Sequence, residues 1–267
     1  MKNVLVLMHD DAGQEARFQA ALDLTRALDG HLTCIDVSVV PVAMGDYGDL
    51  GGAALLMADE QVRENANKSH MLERLAAEDV SYDWRDESGF LNQTMRNSVG
   101  LADVVVLNRK IDSIDYPDMR DLVGDMVITA HTPIVAVPQT ARGFDAFGHA
   151  LVAWDGSRES VAALRAAAPL LANARAVTIL EVDDGSIKTP AEDAAAYLSR
   201  HGIKPLVRRQ RSMDAPPSAI ILDTIRETQA AYLVMGGFGH SRFVESMFGG
   251  VTRRMLKECP VPLLLAH

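Results

Sequence analysis

Short apolar runs alternate along the chain with longer segments in which apolar residues recur every three or four positions. Runs such as Val4–Met8 and Val104–Leu107 are typical of buried strands. Between the runs, residues such as Val161, Leu164 and Ala168, spaced by three and four, predict helices with one apolar stripe. This alternation predicts an α/β protein with helices covering a mainly parallel sheet.

The same order of segments occurs twice in the chain. Three pairs of segments align: His31–Val37 with Ala176–Val182, Leu101–Leu107 with Ala230–Gly236, and Thr132–Val137 with Val261–Ala266. The first pair is offset by 145 residues and the other two by 129, so the first half holds 16 extra residues. We place this insertion around Val42–Asn65, as a mobile loop or an added helix.

The repeat predicts two domains, residues 1–140 and 148–267, with a turn-rich boundary segment within Pro138–Gly148. Each is expected to hold a parallel five-stranded sheet. In the second half the predicted strands are Ala150–Trp154, Ala176–Val182, Ile203–Gln210, Ala231–Met235 and Val261–Ala266. The predicted helices are Ser157–Asn173, Pro190–His201, Pro216–Gln229 and Gly250–Glu258. Ser157 is placed to cap the first of these helices, and Pro169 predicts a kink or an early end.

Composition and charge narrow the class of protein. The 267 residues are 48% hydrophobic, and the formal net charge is −10, which argues against binding of nucleic acid or anionic lipid. The apolar runs are shorter than the roughly 20 residues of a membrane-spanning helix, and no signal segment opens the chain. The two cysteines, Cys34 and Cys259, follow no metal-ligand spacing and fit a reducing compartment. We therefore expect a cytoplasmic globular protein without a structural disulfide.

Candidate chemistry lies just after the predicted strands of the second half. In an open parallel sheet, ligands gather at the carboxyl ends of the strands. Asp155–Ser157 follows the first strand, and a glycine-rich segment, Gly236–Gly239, follows the fourth. Gly249 and Gly250 then precede a helix whose N-terminal N–H groups favour a phosphate. Neither the Walker nor the dinucleotide glycine pattern is present, so the spacing leaves open an anion site or an ordinary glycine-rich turn.

These residues resemble the universal stress protein domain. Its nucleotide-binding members have Gly-x-x-Gly, nine residues, and then Gly-Ser/Thr, and here Gly236, Gly239 and Gly249 follow that spacing. The segment Leu151–Ser160 also looks like the first strand and turn of that family. The resemblance covers residues 150–267, and the first half shares the plan but hardly the motifs. The whole chain resembles a tandem universal stress protein.

The resemblance implies two flavodoxin-like domains, similar to adenine nucleotide alpha hydrolases and packed as an internal pseudo-dimer through Ile134–Val137 and Val261–Ala266. It also implies a site for ATP, with Mg²⁺ as companion ion, or for a related adenine nucleotide. By similarity, Asp155 and the Val182 backbone border adenine and ribose, Gly236 and Gly239 shape the loop over the phosphates, and Gly249, Gly250 and Val251 lie beside the phosphate chain.

One position departs from the family pattern. Gly250 stands where binding members have Ser or Thr, and loss of that hydroxyl donor costs about 0.5–1.5 kcal/mol of binding free energy if nothing replaces it. Thr252 is two residues further along the predicted helix and is expected to point elsewhere. Ser241, Arg242 and Ser246 are the candidates to compensate.

The first half departs further. The positions aligned with Gly236, Gly239, Gly249 and Gly250 are Leu107, Lys110, Arg120 and Asp121. A leucine lacks the backbone freedom of glycine, and a carboxylate repels a phosphate, so we expect a domain that does not bind nucleotide. The sequence His9-Asp10-Asp11 has the residue types of a catalytic or metal cluster, but after a strand end it is interpreted as a solvated turn and helix cap. A different ligand, held by Arg109, Lys110 and the glycine-rich insertion, is the alternative.

Three functions remain open from the sequence. The first is a stress-response protein that binds adenine nucleotide in its second domain and regulates an unknown protein partner. The second is an interaction module without nucleotide, and the third is a slow ATP-hydrolysing or phosphotransfer enzyme in which Asp155 holds Mg²⁺. We assign no catalytic residue and no metal-ligand set, and two chains of the tandem protein are free to associate further.

Overall fold

The computed structural model describes residues 1–39, 50–109, 119–185, 187–212, 215–239 and 250–267. The strands are β1 (Asn3–Leu7), β2 (His31–Val39), β3 (Ser81–Gly89), β4 (Val104–Asn108), β5 (Ile134–Val137), β6 (His149–Trp154), β7 (Ala176–Asp183), β8 (Leu206–Arg211), β9 (Tyr232–Gly236) and β10 (Leu263–Ala266). The helices are α1 (Gln14–Ala27), α2 (Leu50–Ala76), α3 (Leu91–Ser98), α4 (Met119–Thr129), α5 (Arg158–Leu171), α6 (Ala191–Arg200), α7 (Pro217–Thr228) and α8 (Val251–Glu258).

The strands form one sheet in the order β3-β2-β1-β4-β5-β10-β9-β6-β7-β8. We call β1–β5 with their helices the first half, and β6–β10 with theirs the second half. Pairing within each half is parallel, and the halves meet where β5 and β10 pair antiparallel. The predicted contact between the last strands of the two halves is therefore confirmed. The two expected sheets are joined into one, because this pairing satisfies the backbone groups of both edge strands.

The direction of the strands sets where ligands can gather. Because β5 and β10 run in opposite directions, the carboxyl ends of β1–β5 lie at one edge of the sheet and those of β6–β10 lie at the other. Parallel strands carry their connecting loops and helix starts at the carboxyl edge. The chain thus offers two separate ligand edges, one for each half.

The helices cover both faces of the sheet, as the apolar periodicity predicts. One core contains side chains of α1, α2, α5 and α6, and the other contains side chains of α3, α4, α7 and α8. The strands of both halves supply side chains to each core in alternation, as residues two apart face the same side. Cys34 and Cys259 are free and buried on opposite faces.

The insertion in the first half is a helical extension. Helix α2 has 27 residues, whereas α6, its counterpart in the second half, has 10. The difference closely matches the 16 residues by which the two halves differ in sequence. The part of the predicted insertion over residues 42–49 lies outside the described residues.

Pro169 does not end its helix. Helix α5 continues beyond Pro169 to Leu171, so of the two predicted outcomes the early end does not occur and the kink stays a prediction. Pro169 lies on the exposed face of α5, one position before the buried Leu170, and the carbonyl left without its N–H partner belongs to the exposed Arg165. Water can bond to such a carbonyl, which removes most of the reason for the helix to stop.

In the described part of the chain, no helix combines the length and apolar character needed to cross a bilayer.

The antiparallel junction of β5 and β10 predicts that two leucines on strands contribute very differently to the free energy of unfolding. Leu264 of β10 is fully buried and opposite Val135 of β5, whereas Leu206 at the β8 edge is 67% exposed. Leu264→Ala is expected to lower the free energy of unfolding by about 2–5 kcal/mol, through lost burial and the remaining cavity. Leu206→Ala should change it by less than about 0.5 kcal/mol. Urea unfolding followed by circular dichroism measures both, and equal losses would contradict this packing.

Candidate functional site

A pocket of about 250 Å³ opens at the carboxyl ends of β6, β7 and β9. It lies where the chain order reverses, since β6 has β7 on one side and β9 on the other. Such switch points are where open α/β sheets bind ligands, because the connections on the two sides diverge and leave a crevice. An apolar wall is formed by Ala153, Leu180, Val182, Ile221, Met235 and Val251.

The structure brings together six of the seven residues predicted from the sequence. The pocket is lined by Asp155, Val182, Gly236, Gly239, Gly250 and Val251. The seventh, Gly249, lies outside the described residues, as do Ser241, Arg242 and Ser246. Ser157, Glu159 and Asp184 also line the pocket, although they are not among the seven predicted site residues.

The turn after β6 is held in shape by short-range hydrogen bonds. Oδ1 of Asp155 accepts from the Ser157 backbone N at 2.9 Å, and Oγ of Ser157 accepts from Ser160 N at 3.1 Å. Ser157 thereby caps α5, as predicted. Gly156 has φ +70°, and a Cβ there would lie 2.2 Å from the Thr189 backbone N. Glycine is therefore required at this turn, which fixes Asp155 at the pocket rim.

Gly236 allows α5 to approach the end of β9. A Cβ on Gly236 would lie 2.6 Å from Ser160 N and 2.7 Å from the backbone carbon of Glu159. A Cβ on Gly239 would instead meet the end of the Glu159 side chain, with Oε2 at 2.8 Å. Backbone cannot give way as a flexible side chain can, so Gly236 has the stricter requirement.

Helix α8 begins at the pocket. Gly250, at its N-cap, has φ −45° and ψ 152° and supplies no side-chain cap. Its carbonyl accepts the first helical hydrogen bond, from Arg254 N at 3.1 Å. The N–H groups of residues 251–253 come before this first bond and have no carbonyl partner within an α-helix. They carry the partial positive charge of the helix start. This helix start therefore favours an anion at the pocket.

Thr252 lies in the pocket, so the expectation that it points elsewhere is wrong. It is 3% exposed, and its Oγ1 accepts from Phe238 N at 3.2 Å. The bond joins the segment after β9 to the first turn of α8, a contact across 14 residues that helical spacing alone does not indicate. A hydroxyl that accepts one hydrogen bond still has its own hydrogen to donate.

Carboxylates dominate the charged groups of the described pocket lining. Asp155, Glu159 and Asp184 line it, and no lysine or arginine within the described ranges does. An anionic ligand therefore meets the positive end of α8 on one side and acidic side chains on the other. A cation shared between ligand and carboxylates would reduce that repulsion.

The corresponding strand ends of the first half are closed by a buried arginine. Arg17 of α1 is fully buried and donates from Nε to the Leu7 carbonyl at 2.6 Å and from Nη2 to the His9 carbonyl at 2.8 Å. It also pairs with Asp11 at 2.8 Å and bonds to Oδ1 of Asn108. These contacts link the ends of β1 and β4, the counterparts of β6 and β9, which border the pocket in the second half.

The first-half residues that align with the pocket glycines also differ from a nucleotide site, where the structure describes them. Leu107 is fully buried, and Asp121 lies exposed in the first turn of α4. Arg109, offered above as part of an alternative ligand site, donates to the Met255 carbonyl of the second half at 3.3 Å. Lys110 and the side chain of Arg120 lie outside the described residues.

Comparison with known proteins finds one family similarity, in the second half. The model of the universal stress protein family matches residues 146–267. No curated protein matches the chain significantly.

Solved structures share the fold of the whole chain. A universal stress protein from Archaeoglobus fulgidus DSM 4304 superimposes with a TM-score of 0.71 at 14% identity, covering 98% of this chain and 95% of its own. A structure from Pseudomonas aeruginosa UCBPP-PA14, assigned to the same family, has a TM-score of 0.56 at 14% identity, with coverage of 100% and 93%. A protein of unknown function from Pseudomonas aeruginosa PAO1 gives 0.57 at 15%, with coverage of 100% and 92%.

The different surroundings of the two pocket glycines predict different costs of adding a methyl group. Gly236→Ala pushes Cβ into backbone atoms at the start of α5 and should lower the free energy of unfolding by about 1–3 kcal/mol. Gly239→Ala needs only a rotation of the Glu159 side chain and should cost less than about 0.5 kcal/mol. Urea unfolding of both variants tests this, and the reverse order of losses would contradict the placement of α5 against β9.

Proposed function

We propose, from the match of the universal stress protein family model to residues 146–267, that the second half binds ATP or a related adenine nucleotide in the pocket at β6, β7 and β9. The carrying observation is the convergence of the glycine segment, the start of α8 and an apolar wall on one crevice. We further propose that the chain acts in the cytoplasm as a sensor whose nucleotide occupancy regulates a protein partner.

The apolar wall suits a purine ring. Leu180 and Val182 on β7 face Ile221 on α7 across the crevice, and Val182 is 8% exposed. A flat, mostly apolar ring gains free energy by leaving water for such a slot. The backbone of Val182, at the β7 end, supplies the polar edge that a base needs, with Asp155 on the neighbouring strand end for a ribose hydroxyl.

The start of α8 suits the phosphate chain. Gly250, Val251 and Thr252 at the start of α8 line the pocket, so the free N–H groups of the first turn are available to a phosphate. Thr252 thus supplies, from two residues further along, a donor of the kind that Gly250 lacks. This replacement supports nucleotide binding despite the departure from the family motif.

The acidic rim favours a nucleotide that brings a cation. Asp155 and Glu159 lie on the strand end and helix start next to the glycine segment. Mg²⁺ is held in nucleotide sites by one or two carboxylates together with phosphate oxygens. Glu159, whose side chain lies against Gly239, is the residue that would hold Mg²⁺, which would offset the charge of the phosphates.

Contacts between the pocket and the first half support a sensing role. Gly237, just after β9, approaches the first half so closely that a Cβ would lie 2.8 Å from Cγ1 of Val127 on α4. Arg109 of the first half also bonds to the Met255 carbonyl of α8. A ligand that orders the β9 end and the start of α8 therefore acts on residues that touch α4 and β4 of the first half.

One observation favours a second candidate, an interaction module that binds no nucleotide. Three carboxylates line the pocket, and the N-cap of α8 has no hydroxyl. If the charge repulsion is not relieved, the second half keeps the fold of the family without its ligand.

Titration calorimetry of the full chain distinguishes the two candidates. We expect Mg-ATP to bind at about one molecule per chain, because Arg17 links the matching strand ends in the first half. ATP with EDTA should bind more weakly if the carboxylates share a Mg²⁺ ion. Absence of heat and of thermal stabilisation at millimolar Mg-ATP would reject nucleotide binding, and two molecules per chain would reject the asymmetry.

Restoring the family hydroxyl tests where the phosphates lie. The φ of −45° at Gly250 is one that any L-residue can adopt, so Gly250→Ser is expected to fold and to tighten binding of Mg-ATP by about two- to tenfold, the range of one added hydrogen bond. Gly250→Ala is the matched control and adds a Cβ without a donor. Equal affinities of the serine and alanine variants, measured by calorimetry, would contradict the placement of phosphate at α8.

A further inference from the structure

Three buried side chains meet at the carboxyl edge of the first half, away from the nucleotide pocket. His9 follows β1, Asp36 lies on β2 and Glu64 lies on α2, and they are 0%, 4% and 2% exposed. One ligand atom from each lies within 4.8 Å of the other two. His9 Nδ1 is 2.7 Å from Oε1 of Glu64. The interpretation of His9 as part of a solvated turn is therefore wrong.

The second half shows how an acid at this position is normally satisfied. Asp36 aligns with Glu181, at the same position of the second strand. Oε2 of Glu181 accepts from the Ala191 backbone N at the start of α6, at 2.7 Å. Its Oε1 accepts from Nε of Arg209 on β8, at 2.9 Å. A helix N-terminus and a cation thus stabilise the buried carboxylate.

Both of these partners are replaced by carboxylates in the first half. The register that sets Glu181 beside Arg209 sets Asp36 beside Asp86 of β3. Asp86 itself is bonded to Lys68 and to Trp84.

The longer helix α2 changes the other side of the cluster. Counted back from the helix ends, Ala191 at the start of α6 corresponds to Asn67, and α2 continues beyond it toward the N-terminus. No helix start is available at this point, and the extension places Glu64 there. Asp36 therefore faces a carboxylate where Glu181 faces an N–H donor.

Asp36 remains only partly satisfied. Among the residues that the structure describes, its buried Oδ1 has no hydrogen-bond partner. Two buried carboxylates beside one imidazole make an environment that a bound cation would stabilise.

We propose that His9, Asp36 and Glu64 form a binding site for a divalent transition-metal ion, with Zn²⁺ as the ion to test first. Zn²⁺ binds imidazole nitrogen together with carboxylate oxygen, and three protein ligands leave a position for water. Mg²⁺ and Ca²⁺ prefer sites made entirely of oxygen, so the imidazole favours the transition ions.

The distances suit such an ion after a small adjustment. Ligands about 2.1 Å from a tetrahedral ion lie about 3.4 Å apart. The three ligand atoms, within 4.8 Å of one another, need to converge slightly, and the contact of 2.7 Å between His9 and Glu64 needs to open as the metal replaces a proton. A second layer already orients Glu64, because its Oε2 accepts from Nδ2 of Asn67 at 3.3 Å. Asn67 is in turn held by Gln14.

Calorimetric titration of EDTA-stripped, dialysed full-length protein with ZnCl₂ tests the site. We expect saturable binding of about one Zn²⁺ per chain, accompanied by thermal stabilisation. The variants His9→Gln, Asp36→Asn and Glu64→Gln keep side-chain size and should each weaken binding at least about tenfold. His31→Gln is the matched control, because His31 forms a surface pair with Asp83 at 3.1 Å and should leave the affinity unchanged.

Cobalt substitution supplies a readout that does not depend on the variants. Co²⁺ at this site should show visible d–d bands without a thiolate charge-transfer band, because Cys34 and Cys259 are not among the ligands. Absence of saturable Zn²⁺ binding by the unmodified chain would overturn the proposal and leave a metal-free hydrogen-bonded cluster. Loss of binding in His31→Gln, with normal binding in a folded Asp36→Asn or Glu64→Gln variant, would also overturn it.

Discussion

The antiparallel pairing of β5 with β10 is the constraint on which the rest of the structure depends. It turns two parallel sets of strands into one sheet and leaves no open strand between the halves. It also reverses the direction of the strands, so the two carboxyl edges, and the sites built on them, lie on opposite sides of the sheet. Contacts such as Arg109 with α8 cross the same junction and connect the first half to the pocket of the second.

The two halves keep one fold but differ in what occupies their strand ends. In the second half, Glu181 is neutralised by Arg209 and by the start of α6, which leaves the neighbouring crevice open. In the first half, Arg17 links the ends of β1 and β4, and the extended α2 brings Glu64 to Asp36. A buried charge needs a partner in both cases. The second half finds it within the protein, and the first half, in our proposal, takes it from a metal ion.

Local patterns predicted the elements well, because apolar spacing and caps are properties of neighbouring residues. The stripe on α5, its Ser157 cap and most boundaries of the second half agree with the structure to within about two residues, as expected for such boundaries. The resemblance to the universal stress protein domain also indicated six residues that line one pocket. What the sequence did not indicate depends on distant contacts. Thr252 reaches the pocket through its bond to Phe238, and His9 is buried by a helix more than 50 residues away. Pro169 does not end α5, because the cost of a missing backbone hydrogen bond depends on the exposure of the carbonyl that loses it.

Native mass spectrometry of the full chain, equilibrated with both Mg-ATP and Zn²⁺, tests most directly the claim that one fold carries two different sites. The account predicts a dominant species that carries about one nucleotide and one zinc ion, with each ligand bound whether or not the other is present. A chain carrying two nucleotides would show that the two edges are equivalent, and a chain carrying neither ligand would show that both sites are wrong.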